Sequence, residues 1–231
     1  YNYALREDMT REEFIKEVTD GILPPPQYFS KNAAMNKTGY ESIDGILHKG
    51  CTPLDVEAVK KHWEEGKLIL DVRNKEAFAA KHIPGAIFIG LDGNFAMWVG
   101  ALIEDLKQPI VLVVDEGREK EAVTRLSRVG YDNTIGYLNG GIEKWEESGM
   151  EIGSVTSIEA DQMADYTGKY NILDVRKKNE YDESHVKDSQ LFTLDYINDN
   201  LNNIDKNQPY LIYCKSGYRS CVAASILQAH G

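Results

Sequence analysis

Short, unbroken apolar runs alternate with helical stretches through most of the chain. LILDV at 68–72 and NILDV at 171–175 are continuous rather than alternating, the pattern of strands buried on both faces in a parallel sheet. A third short run, YLIY at 210–213, precedes a small-residue helical pattern that begins at Val222. VEAVKKHWEEG at 56–66, NEYDESH at 179–185 and EAVTRLSRVG at 121–130 carry helical spacing or charge, and the last closes on Gly130 at a C-cap position. Strand and helix in alternation predict an α/β fold, with a parallel sheet covered by helices. Ligands of such folds sit beyond the carboxyl ends of the strands.

The pattern occurs twice. Residues 68–91 align without a gap against 171–194 at an offset of 103, which pairs Asp71 with Asp174 and His82 with His185. PIVLVVDEGREKEAV from Pro109 aligns with PYLIYCKSGYRSCVA from Pro209 at an offset of 100. The first copy continues with YDNTIGYLNGGIEKWEESG, one more strand, a Gly-Gly turn and a helix carrying Trp145. The second copy reaches Gly231 without these, so its natural end is expected to lie further on. Three units follow: a tail at 1–49, a first domain at 50–152 and a second at 153–231. In the tail, Thr10 and Glu13 form a capping box that opens an amphipathic helix, and LPPPQYF at 23–29 forces an extended segment.

Composition narrows the function classes. A net charge of −11 argues against nucleic acid or an anionic membrane as the partner, and no apolar run approaches the length of a membrane span. The three cysteines, Cys51, Cys214 and Cys221, are too few for a disulfide framework and suit a reducing, cytoplasmic setting. The five histidines have no ligand spacing, so no metal or other cofactor is expected within the chain. Trp63, Trp98 and Trp145 read as core residues, and the Asp71–Arg73 and Asp174–Arg176 pairs as ion pairs or loop anchors.

The chemistry concentrates at CKSGYRS, 214–220. It lies between a strand end and a helix start, where a curled backbone aims successive N–H groups at one point. Gly217 permits the φ values that a tight ring needs. A sulfur at its centre is favoured as thiolate, helped by Lys215 and Arg219, and thiolates are the nucleophiles. Arg219 is expected to bond the loop's own carbonyls or Asp174. Cys51 and Cys221 are read as structural.

These residues resemble the rhodanese, or sulfurtransferase, family. The likeness rests on LDVR at 173–176, Glu180, Tyr181, His185 and CKSGYRS, and in the first copy on LDVR at 70–73, HIPGA at 82–86 and GYLNGGIEKW at 136–145. It implies two rhodanese-like domains and a sulfurtransferase in which Cys214 carries sulfane sulfur as a persulfide. Backbone amides from Lys215 through Ser220, including those of Ser216, Gly217 and Tyr218, would cradle it, with Asp174 and Arg176 supporting the loop. A small anionic or persulfide donor and a thiol or cyanide acceptor are the implied partners. Lys215 stands where relatives often carry Arg, and HVKDS replaces the usual HIPGA after His185. The first copy has Val114 in place of the cysteine, so it is expected to be an inert scaffold that packs against or covers the second.

YALRE at 3–7 and LPPPQYFSKNAAMNKTG at 23–39 resemble the end of the metallo-β-lactamase-like domain of persulfide dioxygenase–rhodanese fusions. That likeness implies a metal-bearing domain ahead of this chain and an alternative role as a sulfur-relay or binding module. A cysteine phosphatase is a third reading. It is disfavoured because four residues rather than five separate Cys214 from Arg219, a ring suited to one sulfur rather than to phosphate.

Overall fold

The computed structural model describes residues 9–19, 42–166 and 168–231. Helix α1 (Arg11–Thr19) opens on the expected capping box. The Thr10 N–H donates to Glu13 Oε2 at 2.8 Å, and the Glu13 N–H returns a bond to Thr10 Oγ1 at 3.2 Å. The proline-rich stretch at 23–29 and the tail segments on which the second resemblance rests lie outside the described residues.

The first unit runs α2 (Ile43–Gly50), β1 (Pro53–Leu54), α3 (Val56–Glu64), β2 (Leu68–Asp71), α4 (Lys75–Ala80) and β3 (Ile87–Phe88). It continues with α5 (Phe95–Leu102), β4 (Ile110–Val113), α6 (Glu119–Ser127), β5 (Thr134–Leu138) and α7 (Gly141–Glu147). Its five strands are parallel, in the order β1-β5-β4-β2-β3. Continuous apolar runs form the centre: every residue of β4 is buried, as the lack of alternation predicts.

Helix α2 corrects the expected boundary at residue 49. Ile46 is buried in the core, and a Cβ on Gly50 would come 2.7 Å from Val123 Cγ1 on α6. That contact with α6 makes α2 part of the first unit, not the tail.

The second unit holds β6 (Asn171–Asp174), α8 (Lys178–Glu183), β7 (Gln190–Leu191), α9 (Ile197–Asn200), β8 (Tyr210–Tyr213) and α10 (Tyr218–Ala229). Its parallel sheet, β7-β6-β8, reproduces β3-β2-β4. The repeat extends to side chains. Arg73 Nη2 donates to Lys81 O at 2.7 Å and Arg176 Nη2 to Ser184 O at 2.6 Å. His82 stacks on Phe78 at 4.0 Å between ring centroids, and His185 on Tyr181 at 3.9 Å. Both Asp–Arg pairs are the ion pairs expected of them.

The two units share α10. Six consecutive residues, Cys221 to Ile226, are buried in this helix, which packs on β8 of its own sheet and on β3 of the other. Small residues (Ala223, Ala224, Ser225) permit burial on every side, whereas the corresponding α6 keeps Lys120 and Glu121 exposed. Ser225 Oγ accepts the Phe88 N–H at 2.9 Å and donates to Val222 O at 2.7 Å. No helix among the described residues is long and apolar enough to cross a membrane.

Candidate active site

Strand β8 ends at Tyr213 and delivers Cys214 directly into the turn before α10. Gly217 caps that helix at φ 85°, and Gly117 takes the same φ at the matching point of the first copy. The backbone device is therefore repeated, while the thiol is not: Val114 occupies its place, buried.

Cys214 Sγ receives the Ser220 N–H at 3.4 Å and lies 3.6 Å from Ser220 Oγ. Ser220 Oγ also lies 3.0 Å from Gly217 O, the alternative acceptor for its one proton, which closes the ring. Burial pushes the Cys214 thiol up. The N–H and hydroxyl of Ser220 and the N–H groups of Ser216 and Gly217 pull it down, and they prevail. For Cys221 burial prevails, reinforced by Asp71 against a smaller pull from Lys75, and the thiol is raised to about 12; Cys51 is raised as well. Of the three thiols, only Cys214 is shifted toward thiolate.

Arg219 does not bond the loop carbonyls or Asp174. Its Nη1 and Nη2 donate to the two carboxylate oxygens of Glu180 at 2.7 and 2.8 Å, and this fork holds Glu180 down at about 2. Asp174 is already saturated. It accepts from the Arg176 N–H, Nε and Nη2 at 3.0, 2.9 and 2.6 Å, and from the Tyr213 hydroxyl at 2.5 Å. Tyr213 also accepts the Val186 N–H at 3.1 Å. Asp174 and Arg176 thus act on the loop at one remove, by fixing the residue before Cys214.

Lys215 and Ser216 present exposed side chains at the loop's rim. The Tyr218 side chain leaves the ring: its hydroxyl donates to Gly90 O at 2.9 Å, and its ring meets Phe88 edge-on at 5.7 Å. Its side chain anchors the loop to the first unit. The loop is repeated with and without its cysteine, and in the second copy N–H groups converge on a thiol held toward thiolate, an arrangement suited to a nucleophile.

The rhodanese-like domain family model matches residues 55–148 and 159–231. The chain belongs to this family. Among curated relatives, it is 30% identical over 95 residues to the "Putative sulfur carrier protein YrkF" of Bacillus subtilis (strain 168). That alignment covers 41% of this chain and 51% of the relative, so the chain matches about half the relative's length. A metallo-beta-lactamase from Staphylococcus aureus subsp. aureus COL is 25% identical at a TM-score of 0.45, over 57% of this rhodanese-like chain and 36% of that one. Thiosulfate sulfurtransferase from Pseudomonas aeruginosa is 18% identical at a TM-score of 0.39, over 88% and 44%.

Sequence reasoning passed over two residues in the site, Glu180 as the partner of Arg219 and Tyr213 as the brace on Asp174. A signal for the first lay in the repeat. Where the second copy has Glu180 and Arg219, the first has Ala77 and Glu119, so both members of the pair are replaced together.

Proposed function

We propose that the chain is a sulfurtransferase whose second unit moves sulfane sulfur through a persulfide on Cys214. The observation that carries this reading is the ring of donors on Cys214 Sγ, which holds the thiol below its ordinary range despite burial. With thiosulfate as donor, the Cys214 thiolate attacks the outer sulfur. An S–S bond forms to Cys214, the bond from that sulfur to the sulfite sulfur breaks, and sulfite leaves with the electron pair. An acceptor thiolate then attacks the outer sulfur of the persulfide and restores the Cys214 thiolate. The loop N–H groups stabilise the anionic persulfide between the two steps. Glu180 fixes Arg219 beside Cys214, and the first unit seats Tyr218, so both shape the ring.

The relative's printed name as a sulfur carrier supports a second reading, in which the persulfide is held for delivery with little turnover. Steady-state kinetics with thiosulfate and cyanide or a thiol separate the two. Parallel double-reciprocal lines are expected of the ping-pong enzyme; stoichiometric uptake without turnover would leave the carrier reading. Turnover of an aryl phosphate without sulfur uptake would overturn both.

A further inference from the structure

We infer that Lys75, on the unit without the cysteine, is a cation that helps select an anionic donor at the Cys214 loop, an inference resting on the sulfurtransferase reading. An anion approaching a chain of net charge −11 needs a local cation. Of the cations at the second unit's site, Arg219 forks onto Glu180 and Arg176 onto Asp174, while Lys215 points out to solvent at the rim. Lys75 opens α4 at the carboxyl end of β2 and reaches across to the other unit. Its Cε, Cδ and Nζ lie 3.5, 3.6 and 3.6 Å from where a Cβ of Gly217 would stand, and the Gly217 N–H is one of those directed at the sulfur. With no side chain at 217, the ammonium lies against the loop itself. The backbone beneath is held as well, since Lys75 O lies 3.9 Å from Cys221 Sγ on α10.

There is room for a ligand beside this ammonium. A cleft of about 200 Å³ opens on the first unit, lined by Asn74, Lys75, Glu76, Asp92 and Gly93 among others, with Tyr218 its wall from the second unit. Two carboxylates stand near. Asp92 is bound by Arg118 at 2.9 Å, and Glu76, the partner of Lys75, is largely exposed. An exposed pair of this kind contributes little and exchanges readily for a substrate anion. Lys75 therefore acts on donor binding, and the thiolate itself is set by the loop.

The test compares alkylation of Cys214 by iodoacetate and by neutral iodoacetamide in the full chain, followed on the Cys214 peptide by mass spectrometry. Lys75→Ala is expected to lower the iodoacetate-to-iodoacetamide rate ratio about threefold to tenfold, the size of one partly screened charge contact, with the iodoacetamide rate unchanged. Lys75→Arg is expected to keep the ratio. In thiosulfate turnover, Lys75→Ala should raise KM by a similar factor at constant kcat. An unchanged ratio in Lys75→Ala, or an equal fall with both reagents, overturns the inference. Because alkylation requires no sulfur transfer, a lowered ratio in a chain that takes up no sulfur would uphold Lys75 and sink the sulfurtransferase reading instead.

Discussion

Cys214 and Cys221 stand seven residues apart, and burial acts on both, yet they titrate in opposite directions. The difference is the set of donors that reaches Cys214 from Ser220, Ser216 and Gly217. The alkylation midpoint of Cys214 is therefore expected below the ordinary cysteine value of about 8.5, so that thiolate persists as pH falls toward neutral. Ser220→Ala removes the hydroxyl and keeps the N–H. It should raise that midpoint by roughly half to one unit, the worth of one hydrogen bond. A midpoint unmoved in a folded variant would mean that the backbone alone sets the thiol. At this scale, Cys214 and the Gly217 turn were legible in the sequence, because chemistry and φ are local properties. The Arg219 partner was not, since Glu180 and Asp174 are both acidic residues of the same βα segment. Saturation of Asp174 by Arg176 and Tyr213 decides between them.

Among the elements, α10 carries the most varied duties. It ends the cradle, packs on β8, and fills the face of β3 in the other unit. Gly93 makes room for the Tyr218 anchor: a Cβ there would stand 2.3 Å from Tyr218 Cζ. Gly93→Ala is expected to destabilise the chain by about 1–3 kcal/mol, as overpacking does, and to slow sulfur uptake by displacing the first turn of α10. Thermal melts and uptake rates on the variant check both, and a variant with wild-type values in each would show that the anchor is dispensable. The parallel strands, the capping box of α1 and the Gly-Gly turn into α7 were read correctly, because each is announced by periodicity or by a residue with one dominant backbone use. The fate of Tyr218 and the reach of Lys75 were not, because both depend on how two repeats dock. The first-unit boundary was missed for a related reason: α2 precedes the repeated segment, so only its packing through Ile46 and Gly50 reveals its allegiance.

For the whole molecule, one helix shared by two sheets implies linked stability. The core runs without interruption from Ile46 on α2 to Ile226 on α10, so residues 42–231 are expected to unfold in a single calorimetric transition, and two resolved transitions would contradict this. The unit without a cysteine is then a structural half of the proposed catalytic module, supplying the Gly90 seat for Tyr218 and, by our inference, a cation in Lys75. Its own loop could not serve. Val114 replaces the thiol, and Arg118 is occupied by Asp92 and Glu121. Sulfur transfer through Cys214 is tested most directly by intact-protein mass spectrometry before and after exposure to thiosulfate or a glutathione persulfide, with Cys214→Ser in parallel. Transfer through Cys214 requires gain of one sulfur atom, reversed by cyanide or thiol and absent in the variant. No gain in a folded chain whose Cys214 still alkylates freely would contradict it.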